Sequence, residues 1–349
     1  MWYKVFRHFV LGLVVVGWAA AADAAFVFIG EDNQASGVAW HRWTIADQSD
    51  NTGSGHVEVA SAFRPSGFAL SSTVSPNELY IGVIVPQDPP IVRSTNAFSA
   101  APTIDGSRNI PAAVGGGGTG IGGIIGTIAS APGGDIYAHG GQIGFGKSLA
   151  RLTPTATGAT VDYHIEGANG ARGMTVSPWG EIFVAGDPST IYRYIDNGAT
   201  FTPNGIITDP NVNNPHGLVF RGNELFVANH SLNSIGRLTF DVAGTAGVVN
   251  GSSVFSGNGL NRPSGLAVAP WGELWVTNLF VEDRISRFKF DGLGAVSDNG
   301  LFAFDFPAGS TPTRNGSFGI AFLVPEPSSF VMAAFAACGL VAVRRRRKK

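Results

Sequence analysis

The chain has 349 residues, of which 14% are charged and 44% are hydrophobic. Residues 26–322 carry 15 Lys and Arg against 23 Asp and Glu, a net charge of 15 − 23 = −8. This acidic balance lacks the basic surface that nucleic-acid binding needs, so we expect no nucleic-acid partner. The single cysteine, Cys338, lies in an apolar segment near the C-terminus. Residues 26–323 therefore contain no disulfide and depend on a hydrophobic core.

Residues 1–25 have the layout of a secretory signal peptide. Lys4 and Arg7 precede an apolar run from Phe9 to Ala20, and small residues follow as candidate cleavage sites. The run is twelve residues long, whereas a membrane-spanning helix needs roughly 20. We therefore expect a signal helix that is cleaved on export rather than a retained anchor.

A two-strand pattern recurs through residues 26–323. Each copy begins with a glycine and an apolar strand, then a turn, then a second apolar strand that usually starts with an acidic residue. The clearer copies are followed by a third strand that carries an arginine. The glycines are separated by 59, 47, 44, 48 and 54 residues, and they are Gly67, Gly126, Gly173, Gly217, Gly265 and Gly319. A period of roughly 40 to 50 residues is typical of a β-propeller, so six copies predict six blades.

The sixth copy, Gly319–Leu323, has no second strand after it. The missing strands are present at the other end of the body, where Phe26–Asn33 resembles a second strand and Val38–Ile45 resembles the arginine-bearing third strand. We predict that the N-terminus completes the last blade, because such closure removes exposed sheet edges. The predicted fold class is all-β, a six-bladed propeller over residues 26–323. Five or seven blades, or a pair of β-sandwich domains, remain as alternatives.

The blade motif resembles that of the NHL and SMP-30/gluconolactonase propellers, and also that of the streptogramin lyases. The resemblance rests on Pro263-Ser-Gly-Leu266 followed by Gly272-Glu-Leu-Trp-Val276. It implies the architecture of a propeller and does not by itself imply a reaction.

Polar residues recur at one end of the predicted blades. The positions before each first strand and after each second strand lie on the same face, because these two strands are antiparallel. They surround the mouth of the central channel, which is a common place for ligands. The predicted ligand-binding rim consists of Glu31, Asp32, Arg64, His139, Asp187, His216, Asn229, His230, Asn261 and Asn278.

The SMP-30 resemblance implies a divalent metal at this mouth, with Ca²⁺ as the candidate because its ligands are oxygens. The metal candidates are Glu31, Asn261 and Asn278, but Asn278 stands where that family has an Asp. A lactonase uses that acid, so the expected function is an exported propeller that binds extracellular glycan or protein partners, with no demonstrated catalysis. The alternative is an SMP-30-like metal-dependent lactonase or hydrolase, or a lyase in which His216 and His230 act as acid and base. A purely structural role in a matrix or coat is a further alternative.

Gly141–Ser148 matches the phosphate-binding loop pattern letter for letter. That pattern binds phosphate only when a helix follows it. Ser148 instead begins an apolar, arginine-bearing segment, which predicts a strand, so we do not expect a nucleotide site.

Residues 324–349 combine a polar motif, an apolar segment and a basic end. Val324, Pro325, Glu326 and Pro327 precede the apolar residues 330–343, and six Arg and Lys residues follow. This tail resembles the PEP-CTERM sorting domain, which implies processing by an exosortase-type enzyme in Gram-negative bacteria that produce exopolysaccharide. We expect a transmembrane helix at 330–343 and a body outside the cytoplasm, on the cell surface or released. Exopolysaccharide or envelope proteins are the expected partners, and an uncut anchor is the alternative.

Overall fold

The computed structural model describes residues 25–31, 38–60, 65–71, 78–83, 91–94, 96–104, 125–140, 148–156, 158–168, 172–186, 188–241, 248–279, 284–291, 296–303 and 317–323. Residues 1–24 of the predicted signal peptide and the predicted sorting tail, with its transmembrane segment, lie outside these residues. Ala25, the last residue of the predicted signal peptide, belongs to the first strand. Within the described ranges, no helix has the length and apolar character needed to cross a membrane.

The described residues form 23 strands and two short 3-10 turns, Pro132–Gly134 and His230–Leu232. The chain begins with β1 (Ala25–Glu31), β2 (Val38–Ile45) and β3 (Ser54–Ala60). Blade 1 follows with β4 (Pro65–Ser71), β5 (Glu78–Val83) and β6 (Ile91–Ser94). Blade 2 consists of β7 (Ile125–Ser130), β8 (Ile136–Gly140), β9 (Ser148–Thr155) and β10 (Gly158–Glu166). Blade 3 consists of β11 (Met174–Val176), β12 (Glu181–Gly186), β13 (Thr190–Asp196) and β14 (Phe201–Thr208).

Blade 4 contains β15 (Pro215–Arg221), β16 (Glu224–Asn229), β17 (Ser234–Asp241) and β18 (Val248–Ser256). Blade 5 contains β19 (Pro263–Val268), β20 (Leu274–Asn278), β21 (Arg284–Phe290) and β22 (Val296–Ala303). The last strand, β23 (Ser317–Leu323), joins β1, β2 and β3 in blade 6. Every blade is an antiparallel meander, so the prediction of a six-bladed all-β propeller is confirmed.

Both ends of the propeller chain meet in blade 6. Strand β1 pairs antiparallel with β23, with Phe26 opposite Leu323 and Ile29 opposite Ile320. The sequence-based prediction of this closure is confirmed. Strand β9 begins at Ser148, so no helix follows the glycine-rich segment before it, as expected.

The first strands of the blades form a closed inner ring, in the order β4, β7, β11, β15, β19 and β23. The repeated glycines make this ring tight. A Cβ added to Gly173 would lie less than 3.0 Å from the backbone carbonyl of His216, and one added to Gly217 would meet the carbonyl of Ser264 in the same way. Glycine is therefore needed at positions 173 and 217, because the neighbouring backbones approach too closely there for any side chain.

Hydrophobic layers between blades supply the core. Between blades 5 and 6, for example, the fully buried Trp275 packs against Phe302, with ring centroids 4.9 Å apart, and Trp43 meets the same ring at 6.3 Å. Burying such large aromatic side chains contributes several kcal/mol each at about 25 cal/mol per Å² of apolar surface. This packing holds successive blades face to face.

In blades 1–5 an acidic residue near the start of the second strand pairs with an arginine of the third strand. We call these contacts the blade ion pairs, and they are Glu78–Arg93, Asp135–Arg151, Glu181–Arg193, Glu224–Arg237 and Glu273–Arg287. Several of the arginines also reach the next blade. Arg93 donates to the carbonyl of Thr155 in blade 2 at 2.7 Å, and Arg287 donates to the carbonyl of Gln48 in blade 6 at 2.6 Å. The repeated arginine thus joins strands within a blade and blades to each other.

Blade 6 departs from this pattern. Its third-strand arginine, Arg42, lies opposite Phe28, just as the arginines of the other blades lie opposite an aromatic residue. The position of the acidic residue, however, is occupied by Phe26. The Arg42 guanidinium lies 4.8 Å from the Phe26 ring centroid and donates to the carbonyl of Ala97 in blade 1 at 2.5 Å. A cation–π contact therefore replaces the ion pair, while the link to the next blade is kept.

Candidate functional site

The inner strands enclose a central channel with a cavity of about 330 Å³. The first and second strands of a blade are antiparallel, so the start of one lies beside the end of the other. In blade 5, for example, Pro263 at the start of β19 is opposite Asn278 at the end of β20. One mouth of the channel lies at this end of the blades. This is the face on which the rim residues were predicted. The cavity is lined by Arg172 and by the inner strands on all sides, with Gly67, Thr127, Gly217, Ser264 and Gly319 among its lining residues.

Three basic side chains meet at this mouth. Arg172 donates from Nη1 to His216 Nε2 at 2.5 Å and to Asn214 Oδ1 at 2.6 Å. The rings of His216 and His230 are stacked, with centroids 4.0 Å apart and planes 7° from parallel. Because arginine can only donate, Nε2 of His216 is the acceptor and its proton is on Nδ1. We call Arg172, His216 and His230 the mouth cluster.

Both imidazoles of the mouth cluster are neutral near pH 7. Burial lowers the pKa of His216 to about 2, and repulsion from Arg172, and from His230 when it is protonated, acts in the same direction. Burial also lowers the pKa of His230, where Arg262 and Arg172 add repulsion and hydrogen bonding to the Pro263 backbone opposes it. Arg172 therefore supplies the positive charge of the cluster.

The sequence predicted His216 and His230 on one face but did not identify Arg172 as their partner. A usable signal was its position directly before Gly173, which matches that of His216 before Gly217. Two first strands that are 44 residues apart in sequence are neighbours in the inner ring. Contacts at the mouth can therefore be sought by comparing residues at equivalent positions of adjacent blades.

Two of the predicted rim amides hold loops in place. The Oδ1 atom of Asn229 accepts from the Asn213 amide at 2.9 Å, and Oδ1 of Asn278 accepts from the Asn261 amide at 2.9 Å. Both side chains are fully buried, with 0% and 1% exposure. Their Nδ2 groups are used as well, and that of Asn278 donates to Ser286 Oγ at 3.1 Å. The two asparagines thus fix the loops that precede β15 and β19.

The remaining predicted rim residues are spread around the mouth. His139 is fully buried at the end of β8, with Nε2 3.2 Å from the carbonyl of Ala168. Glu31 ends β1, where its backbone is opposite Ser317. Asp32, Arg64 and Asp187 lie outside the described residues. Among the described rim residues, the structure brings the side chains of His216 and His230 together by stacking and joins the Asn261 backbone to the Asn278 side chain.

The Asn278 amide oxygen, a predicted calcium ligand, already has one hydrogen-bond partner, the backbone amide of Asn261. A calcium ion takes six to eight oxygen ligands. In the described part of the chain, the one group of three His, Cys, Asp or Glu side chains within reach of a common ion lies elsewhere, on blade 6. A calcium role for Glu31, Asn261 and Asn278 remains a prediction.

No family model matches the sequence, and no curated protein is similar to it in sequence. Solved structures do match. A putative 6-phosphogluconolactonase from Bacteroides uniformis is 15% identical with a TM-score of 0.56, over 80% of this chain and 83% of that one. The periplasmic gluconolactonase PpgL of Pseudomonas aeruginosa is 13% identical with a TM-score of 0.54, over 80% and 83%.

A chain of a nidogen/laminin complex is 14% identical with a TM-score of 0.56, over 87% of this chain and 100% of that one. Identities this low show a shared fold and not a shared function. The body of the protein is therefore similar to gluconolactonase-type β-propellers in architecture.

Proposed function

We propose that the protein hydrolyses a sugar lactone at the mouth of the central channel. The observation that carries the proposal is the Arg172 guanidinium, held between Asn214 and His216 at the edge of a cavity of about 330 Å³. A cavity near the lower end of the roughly 300–1,000 Å³ range of ligand pockets suits a ligand of monosaccharide size. The architectural similarity to two proteins named as lactonases supports this choice.

The chemistry needs a fixed positive charge more than it needs a strong base. Water adds to the lactone carbonyl, the ring C–O bond breaks, and the ring oxygen leaves as a hydroxyl after taking up a proton. Arg172 stabilises the negative charge that develops on the carbonyl oxygen, and it then binds the carboxylate product. His216 positions the guanidinium, because its neutral Nε2 accepts from Arg172.

The test is lactone turnover by the purified protein and by an Arg172→Met variant, on a panel of aldonolactones and uronolactones. Loss of a positioned donor to an oxyanion costs about 10²- to 10³-fold in kcat, and we expect a loss of this size with the fold retained by circular dichroism. Lys289→Gln, which removes a cation at the far end of β21, is the matched control. Equal turnover by Arg172→Met and the unchanged protein would exclude the proposal.

A second candidate is binding of an acidic glycan or a protein without catalysis. It is favoured because burial lowers the pKa of His216 to about 2. This imidazole is therefore a poor general base, while Arg172 can still bind an anion. Exopolysaccharide with uronate groups would supply carboxylates for Arg172. Isothermal titration with purified acidic polysaccharide distinguishes the two, because this candidate requires binding that Arg172→Met weakens together with an absence of lactone turnover.

We also propose that the protein is exported and sorted to the cell envelope through its two ends. The basis is the signal-like segment at residues 1–25 and the PEP-CTERM-like tail at residues 324–349, which an exosortase-type enzyme would process. Mass spectrometry of the mature protein from cell-surface, membrane and medium fractions tests this. Peptides from intact ends in a cytoplasmic fraction would contradict it.

A further inference from the structure

We propose that His41, His56 and Glu58, on the β2–β3 hairpin of blade 6, bind a divalent transition-metal ion such as Zn²⁺, Cu²⁺ or Ni²⁺. This site is on the outer strands of the closing blade, apart from the inner strands that line the channel. It is independent of the proposed lactone chemistry. No predicted rim residue belongs to it.

The strand register places the three side chains on one face of the hairpin. His41 on β2 is directly opposite Glu58 on β3. His56 precedes Glu58 by two residues, and alternate residues of a strand point to the same side. One ligand atom from each of the three residues lies within 4.8 Å of the other two.

The two imidazoles are already at the spacing of metal ligands. His41 Nδ1 and His56 Nε2 are 3.0 Å apart. Two nitrogens that each lie about 2.0–2.1 Å from one ion are separated by about 2.9–3.4 Å, depending on the coordination geometry. An ion can therefore replace the hydrogen bond between the rings with little movement, and Glu58 then completes a set of three ligands.

Neighbouring packing holds the imidazoles in this orientation. The Trp43 ring stacks on His56, with centroids 4.6 Å apart and planes 21° from parallel, and it also lies 5.4 Å from His41. His41 is 2% exposed, whereas Glu58 is exposed. The site is thus rigid on its inner side and open to solvent on its outer side, which leaves coordination positions for water or another ligand.

The donor set selects the class of metal. Two imidazole nitrogens and one carboxylate suit Zn²⁺, Cu²⁺ and Ni²⁺, while Ca²⁺ and Mg²⁺ prefer oxygen ligands alone. An ion here would connect β2 to β3, the outermost strand of the blade in which the two chain ends meet. In a body without disulfides, binding to the folded state alone would stabilise this blade by mass action.

The experiment is titration of the purified metal-free protein with Zn²⁺, followed by calorimetry and by the thermal unfolding midpoint. We expect one ion per chain and a raised midpoint. His56→Ala and Glu58→Gln should each weaken the Zn²⁺ affinity by at least about 10-fold. Removing a residue that only hydrogen-bonds to a metal ligand already costs about 10- to 100-fold, so removing a ligand should cost at least as much. His164→Ala, a histidine on the outer strand β10 of blade 2, is the matched control.

A second measurement tests the ligands directly. Electron paramagnetic resonance of the Cu²⁺ complex should show coupling to two nitrogens, and His56→Ala should reduce it to one. Zn²⁺ affinity that is the same in His56→Ala, Glu58→Gln and the unchanged protein would overturn the proposal. So would an absence of saturable binding of Zn²⁺, Cu²⁺ and Ni²⁺, which would leave only the hydrogen bond between His41 and His56. Lactone turnover should be unaffected by either variant.

Discussion

The two ends of the second strands differ in how regular they are. Near their first residues lie the blade ion pairs, which repeat around the ring, whereas the channel mouth near their last residues has the mouth cluster, which does not repeat. The blade ion pairs recur in five blades with the same strand register. At the mouth, Arg172, His216 and Ser264 occupy the same position of three successive blades, yet they differ in charge and size. Residues that recur from blade to blade stabilise the fold, whereas residues that differ at a shared position provide the asymmetry that a binding site needs.

Arg287→Met should have the largest effect on stability. Both side chains of the Glu273–Arg287 pair are fully buried, at 0% exposure. Removing the arginine leaves a buried carboxylate without a counter-charge, which costs about 3–5 kcal/mol. Arg237→Met is the comparison, because Glu224 keeps a second partner in Arg221 at 2.7 Å. Urea unfolding should show the smaller loss for Arg237→Met, and equal losses would mean that Arg221 does not compensate for the missing Arg237.

Gly173→Ala should destabilise the inner ring by about 1–3 kcal/mol, the usual cost of an added methyl group in a packed interior. The new Cβ would overlap the carbonyl of His216 on the neighbouring first strand. Gly251→Ala on β18 is the control, since its nearest atoms would be 3.9 Å away. The free energy of unfolding in urea measures both. Unchanged stability of Gly173→Ala would show that the inner ring is not closely packed at this position.

Stability should fall as the pH decreases below about 6.5, partly because of His216. Its pKa is about 2 in the folded protein and 6.5 ordinarily, so between these values the unfolded chain binds a proton that the folded protein does not. The free energy of unfolding then decreases with acid by at most about 1.4 kcal/mol per pH unit for this group. Urea unfolding from pH 7 to pH 4 measures this slope. His216→Gln should flatten it, and an identical slope would contradict the environment described for His216.

Arg262→Asn should have the smallest effect, a gain of about 0.5 kcal/mol, because asparagine tolerates a left-handed backbone better than arginine does. Arg262 has a φ of 49°, and the equivalent residue of blade 4 is Asn214, with a φ of 45°. Arg262→Gln removes the same charge but keeps the unfavourable conformation. Replicate thermal unfolding should show stabilisation for asparagine and none for glutamine; a gain of the same size in both would attribute the effect to charge.

Much of the architecture was predictable because a propeller repeats its sequence. The recurrence of Gly173 and Gly217 reflects inner strands that pack too closely for side chains, and the unmatched Gly319–Leu323 strand indicated the closure with β1. The arginines of the third strands were visible in the same repeat. Their acidic partners could be identified only from the strand register, which places the two side chains together.

The candidate site was predictable only in part. His216 and His230 were expected on one face, but their stacking, their burial and their contact with Arg172 depend on how blades 3 and 4 are placed around the ring. Asn229 and Asn278 were expected to contact a ligand at the rim. In the structure, both side-chain amides form hydrogen bonds with the loops that precede β15 and β19. A sequence cannot show whether a polar side chain is already used by the backbone.

The sequence alone determined the acidic, cysteine-free character of the body, and it favoured six blades closed by the N-terminal strands. These features follow from the periodicity and the composition of the sequence. Neither depends on contacts between residues that are distant along the chain. The structure then decided between six blades and the alternatives. Only the tertiary structure decided which polar groups meet, at the mouth cluster and at His41, His56 and Glu58. Such contacts are set by the packing of strands around a ring and by hairpin register, so they follow from the folded geometry rather than from spacing along the chain.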